Sequence, residues 1–143
     1  MLEHQAICEL IPHAGEMCML DAVKDWNENS ITCLSRAHRN KDNPLRNHNG
    51  LPMSSLIEFG AQAMAVHGCL LVGDEDTVMA EGYLAALRNV SFAEGWLSDI
   101  EEELEIYAEC LFADEGNMIY AMKIESQGKV LISARATVVS TFS

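Results

Sequence analysis

The clearest pattern in the chain is an alternation of apolar and polar residues in its second half. From 102 to 113, Leu104, Ile106, Ala108, Cys110 and Phe112 fall on one side, and Glu103, Glu105, Tyr107 and Glu109 on the other. A period of two with one wet face predicts an antiparallel strand. Residues 117–126 repeat it, with Met118, Tyr120, Met122 and Ile124 in phase. Residues 129–141 do so again, with Val130, Ile132, Ala134, Ala136 and Val138 facing inward. ADEGN and SQGK supply the turns between them. Residues 79–92, MAEGYLAALRNVSF, read as one or two strands around a bend, and residues 30–38, SITCLSRAH, as a further strand. Residues 7–26 read as an entry loop leading into the apolar stretch MCMLDAV.

The period changes at GLPMSSLIEFGAQAMAVHG, residues 50–68. Pro52 suits a first helical turn, where its missing N–H costs nothing. Leu56, Phe59, Ala63 and Met64 recur at helical spacing, as do Ile57, Gly60, Ala61 and Ala65, which predicts a helix buried nearly all round. Its small residues let a sheet approach closely, and Gly68 and Gly73 mark its end. One enclosed helix followed by a long antiparallel meander predicts an α+β fold. A strongly bent sheet wraps the helix, in a single domain over residues 1–143. Exposed strand edges in such a sheet favour pairing across a two-fold axis.

Charge narrows the partners. The 143 residues carry a formal net charge of −13, which argues against nucleic acid and against an anionic membrane surface. Glu58, Gln62 and His67 interrupt the longest apolar stretches, so no transmembrane helix is expected. The start MLEHQAICEL lacks a basic region ahead of an apolar run, and a cytoplasmic location is expected. Cys8, Cys18, Cys33, Cys69 and Cys110 are scattered, without a C-x-x-C pair, and read as reduced thiols with no metal site.

Against this background Glu58 stands out. It is the only acid from Asn47 through Gly73, and no Lys or Arg lies in that stretch. The competing reading makes it a pocket-edge residue, or the partner of a distant Arg88 or Arg135.

Four segments carry a resemblance. LIPHAGEMCMLDAV resembles the L-P-H-R-x-P-x-L-L-x-D-x-V opening of β-hydroxyacyl-(acyl carrier protein) dehydratases. The spacing of Pro52, Glu58 and Gln62 resembles the central M-P-G-x-x-x-x-E-x-x-A-Q helix of that family. GYLAALRNVSF is similar to its Y-x-A-G-I-x-x-x-R-F strand, and the closing strands match in length and placement. N-P-L-R and G-x-L-P elements bring the chain nearest to the small dehydratases of aryl-polyene-type gene clusters. The resemblance implies a hot dog fold, with the helix as sausage and the sheet as bun. Two protomers then share each active site, a His from one and a Glu from the other. The family's His opens an H-F-P-G stretch whose position here is Pro44, beside Asn43. His48 is the nearest histidine, so either it takes the role or the base is missing from this chain. Met53 replaces the family's Gly after Pro.

The implied reaction is dehydration of a 3-hydroxyacyl thioester to the trans-2-enoyl product. Glu58 is the acid at the leaving hydroxyl, its carboxyl kept protonated by apolar surroundings. His48 is the base at C2. The N–H groups of Met53 and Ser54 receive the enolate-like oxygen at the positive end of the helix. Gln62, one turn on, orients the carboxyl; its alternative is to satisfy a buried backbone group. His13 reads as structural, and His38 and His67 as non-catalytic. The substrate carries its own phosphopantetheine, and no metal or other cofactor is expected. Arg39, Lys41, Arg46 and Arg88 are the candidate docking patch for an acyl carrier protein; a coenzyme A thioester is the alternative carrier. A homodimer or an assembly of dimers is expected, or a heterodimer with a related dehydratase. Two alternatives stay open: a thioesterase in which Glu58 activates water, and a subunit without its own base that supports an active partner.

Overall fold

The structure is a computed structural model describing residues 2–11, 17–72, 79–114 and 117–142. Among the described residues two α-helices, α1 (His4–Leu10) and α2 (Leu56–Val72), accompany seven strands. The strands are β1 (Leu2–Glu3), β2 (Ala22–Trp26), β3 (Ser30–Ser35), β4 (Met79–Phe92), β5 (Leu104–Asp114), β6 (Asn117–Ser126) and β7 (Lys129–Phe142). They form one antiparallel sheet in the order β1-β2-β3-β5-β6-β7-β4, leaving β1 and β4 at the edges.

Helix α2 packs on the apolar face of this sheet. Leu56, Phe59, Ala63, Met64 and Val66 meet Ile31, Cys33, Leu104, Ile106, Tyr120, Met122 and Ile124 in one core. The close approach expected from the small residues is visible at Gly60. A Cβ placed there would come within 2.6 Å of the Met122 Sδ. From Met53 to Val72 the segment is long and apolar enough to cross a membrane, but it is mostly buried within the fold, as a core helix would be.

The meander forms as its alternation predicts, except at irregularities that single residues cannot announce. The β5–β6 pairing shifts between Cys110 and Phe112, and beyond that point Phe112 is 55% exposed instead of inward. Another shift, in β6–β7 beside Glu125, leaves Val130 exposed and buries Leu131. In both places an extra residue in one strand breaks the two-residue period. The expected strand over 30–38 ends at Ser35, and Ala37–Arg39 forms a 3-10 turn. Gly68 does not end the helix. It is buried within α2, which continues to Val72, while Gly73 lies outside the described residues. The opening stretch contains a short helix in place of a loop, with Ile7 and Ile11 buried.

The expectation of five reduced thiols is corrected. Cys8 and Cys18 form a disulfide, while Cys33, Cys69 and Cys110 are not disulfide-bonded. A search for C-x-x-C spacing misses this pair, because α1 and the strand-entry segment are brought together only by the fold. Burial pushes the Cys33 thiol up to about 12, which makes it unreactive.

Candidate active site

The start of α2 is pinned from outside. Gly50 adopts φ +122°, a left-handed conformation that favours glycine, and a Cβ there would meet Ser98 Oγ. The Leu51 N–H donates to Ser98 Oγ (3.0 Å), and the Ser98 N–H returns to the Leu51 carbonyl (3.3 Å). Pro52 then bridges to Trp96 and leads into the 3-10 turn Met53–Ser55, which has no side-chain cap. A helix cannot use its first N–H groups internally. Those of Met53, which is buried, and Ser54, which is exposed, therefore remain available at the positive end of α2.

One turn further on, Glu58 is half-buried. Its Oε1 accepts a 2.9 Å hydrogen bond from Gln62 Nε2. Gln62 is itself buried and fully committed. Its Oε1 accepts from the Met19 N–H at 2.8 Å, and its Nε2 also donates to the Met17 carbonyl at 2.5 Å. With both amide hydrogens directed this way, the Gln62 side chain has one orientation, and it fixes one oxygen of Glu58. Ser35 Oγ donates to the Met19 carbonyl and steadies the clamp from β3. Gln62 thus both orients the carboxyl and satisfies buried backbone groups, so its two sequence readings are parts of one arrangement. Among the described residues no ion pair reaches Glu58, neither from Arg88 nor from Arg135.

Histidine 48 stands at the tip of a tight turn in which Asn47 and Gly50 exchange backbone hydrogen bonds of 2.9 and 3.1 Å. Its ring is exposed, and no hydrogen bond joins it to Glu58 within the chain. The position where the family carries its base is held by exposed Pro44, and its neighbour is fixed in the scaffold. Asn43 is buried, donates to the Ala37 carbonyl (2.9 Å) and accepts from the Leu45 N–H (2.9 Å).

The other histidines serve the scaffold or lie elsewhere. His67 is buried between Tyr120 Oη (2.7 Å) and the Asn27 carbonyl (2.8 Å). Burial lowers its pKa. His38 is fully buried, and burial lowers its pKa too; its ring nitrogens face the backbone at Glu102 and Ile100 without a hydrogen bond of good geometry. His13 lies outside the described residues.

The proposed docking cations separate into two groups. Arg39 donates to the Ser98 and Ile100 carbonyls, and Arg46 to those of Asn40 and His38, so both guanidinium groups are partly spent on holding the loop that also carries exposed Lys41. Arg88 lies on edge strand β4, directly across from Arg135 on β7. A surface groove lined by Arg36, Glu102, Glu103, Glu105 and Glu125 does not include Glu58.

Sequence reasoning missed Met17, Met19 and Ser35, which hold Gln62. The one available signal was the Gln placed four residues after the Glu.

With this geometry in view, the chain matches the ApeP-like family, described as ApeP dehydratase, over residues 5–142. The chain belongs to this family. It is a hot dog dehydratase, a hydro-lyase. The ApeI:P dehydratase heterocomplex from Xenorhabdus doucetiae contains a similar fold. It matches with a TM-score of 0.84 at 24% identity, over 99% of this chain and 92% of that one. A thioesterase from Pseudomonas aeruginosa shares the fold at TM-score 0.65 and 12% identity, over 97% of this chain and 93% of that one. The E. coli PaaI protein of the phenylacetic acid degradation operon does so at 0.62 and 14%, over 94% and 92%. No curated protein matches the chain in sequence.

In this ApeP-like dehydratase the sheet leaves one stripe of α2 half-covered: Ile57, Glu58, Ala61 and Ala65. The same stripe carries the Glu58 carboxyl, whose second oxygen has no partner among the described residues. An acid for a leaving hydroxyl needs an oxygen free to meet substrate and a carboxyl held in place. The Gln62 clamp meets both conditions.

Proposed function

We propose that this dehydratase removes water from a 3-hydroxyacyl chain carried on a phosphopantetheine thioester, giving the trans-2-enoyl product. The observation that carries this reading is the Glu58–Gln62 pair on the half-covered stripe, one turn from the free N–H groups of Met53 and Ser54. Glu58 delivers a proton to the departing hydroxyl through its unpartnered oxygen. The Met53 and Ser54 N–H groups donate to the thioester oxygen and stabilise the negative charge that develops on it. A base takes the proton from C2. His48 is the candidate for that step, since its exposed ring has no hydrogen bond among the described residues and so is free to meet a neighbouring protomer.

The site is completed by a second protomer laid over the open stripe of α2. The Xenorhabdus heterocomplex supports a related dehydratase in that place, and a second copy of this chain is the other arrangement. The carrier is an acyl carrier protein, approached through Lys41 with Arg39 and Arg46 on one loop, or through Arg88 beside Arg135 on the sheet edge. A cytoplasmic site of action suits a reaction fed by such a carrier.

The test is a mass-spectrometric assay of water loss from 3-hydroxyacyl-loaded carrier protein, run on the chain alone and mixed with a related dehydratase. Loss of water by the chain alone, abolished by His48→Ala, assigns the base to this chain. Turnover only in the mixture, unaffected by His48→Ala, assigns it to the partner. Release of free acid in place of water loss would refute dehydration.

A further inference from the structure

Cys18 sits between the two backbone groups that grip Gln62. The Met17 carbonyl, one residue before it, accepts from Gln62 Nε2, and the Met19 N–H, one residue after it, donates to Gln62 Oε1. The Cys8–Cys18 disulfide ties this segment to α1, which is anchored in the core through Ile7. His4, on the same helix, adds a second tie. Its Nδ1–H donates to the Leu20 carbonyl at 2.7 Å. With the proton on Nδ1, the unprotonated Nε2 lies 3.6 Å from the Cys8 sulfur, and Nδ1 3.8 Å from it. Cys8 and Cys18 are both partly buried, and His4 is exposed, so the pair lies within reach of a small thiol.

We infer that Cys8–Cys18 is a reversible thiol–disulfide site that sets the position of Glu58 through Gln62. The inference rests on Glu58 being the working acid. In the open state His4 Nε2 takes the proton from the Cys8 thiol. The Cys8 thiolate attacks the disulfide of an oxidised small thiol, forming a mixed disulfide and releasing one thiolate. The Cys18 thiol, losing its proton, attacks the Cys8 sulfur and releases the second. Overall, two cysteine thiols and one small disulfide give the closed pair and two small thiols. Excess reduced thiol reverses each step. Closed, the bond holds Met17 and Met19 on Gln62 and the carboxyl stays aimed. Open, the segment relies on its remaining hydrogen bonds, and Gln62 and Glu58 lose their shared orientation. Cys8 and Cys18 are redox-modified residues, and Gln62 is a positioning residue.

The experiment equilibrates the dehydratase, with whichever partner it requires, against reduced and oxidised glutathione at several ratios. Alkylation and mass spectrometry report the state of the pair. Two further readouts follow: water loss from substrate, and hydrogen exchange at the Met19 amide. Opening is expected to speed Met19 exchange about tenfold and to slow turnover about ten- to a hundredfold, the range that small misplacements cost. Both effects should reverse on reoxidation. Cys8→Ser should show the open-state values at every ratio, and His4→Ala should slow closure of the pair roughly tenfold. A pair that glutathione cannot open, or that opens without changing Met19 exchange, overturns the inference. If exchange responds while no water is lost in either state, the thiol switch stands and the dehydratase reading of Glu58 fails.

Discussion

Helix α2 carries two polar islands in an otherwise apolar rod, and they are opposite in design. Near its start, Glu58 and Gln62 face a stripe that the sheet leaves half-covered, and one carboxyl oxygen is unpartnered among the described residues. Near its end, His67 is enclosed by Tyr120 and Asn27, with both ring nitrogens bonded and the rings in edge contact at 5.6 Å. A buried polar group that is fully bonded stabilises and specifies; one left with a free oxygen on an open face is equipped to meet something else. The same helix therefore has an open end, where the proposed function places the acid, and a holding end. Spacing alone does not tell them apart, because Glu58 follows Leu56 and Ile57 and His67 follows Ala65 and Val66, so each sits in an apolar run.

Substitutions can break this contrast. The largest effect expected is on turnover. Glu58→Ala should lower the rate of water loss by about 10²–10⁴-fold, the share a positioned acid contributes, with the unfolding midpoint in urea nearly unchanged. At the holding end the result should be reversed. His67→Ala leaves a void and strips a partner from buried Tyr120, and should cost about 2–4 kcal/mol by urea denaturation. Turnover per folded molecule should persist. Within the first island, between Glu58 and Gln62, Gly60→Val drives a branched side chain into Met122 and should cost about 1–3 kcal/mol by the same measurement.

Acid sharpens the contrast with a smaller effect. Burial depresses the folded-state pKa of both His67 and His38 below the ordinary histidine value of 6.5. Below about pH 6.5 the unfolded chain binds protons that the folded chain refuses, so stability is full above that pH and is lost as pH falls toward the folded pKa values. The slope is at most about 1.4 kcal/mol per pH unit for each histidine. Denaturation midpoints measured from pH 7.5 down to about 5.5 should fall, and His67→Asn should fall less steeply than the wild type.

The smallest effect concerns the sheet. Val130→Thr should change stability by less than about 0.5 kcal/mol, because Val130 faces solvent. The same measurement on Leu131→Ala should show a loss of about 2–4 kcal/mol.

That last pair shows what could be read in advance. Alternation placed β5, β6 and most of β7 because each strand has one apolar face, a property of every second residue. It failed at Phe112 and Val130, where a bulge inserts one residue and reverses the faces; nothing in the side chains marks the insertion. The enclosed helix and its single acid were legible for the same local reason. The clamp on Gln62 was not, since it depends on backbone groups of Met17 and Met19 more than forty residues away. The Cys8–Cys18 bond was hidden likewise, as α1 and the strand-entry segment meet only in the folded chain. The sequence left Glu58 open between an apolar enclosure and a pocket edge, because hydropathy sees the apolar neighbours of a residue along the helix, not the face the sheet leaves open.

The account turns on Glu58 working while His67 holds. The most direct measurement follows water loss and the unfolding midpoint in the same sample of Glu58→Gln, an isosteric change that removes the acid. The account predicts a rate lowered at least about a hundredfold with the midpoint in place. A rate near that of the wild type, or a rate lost only together with the fold, would contradict it.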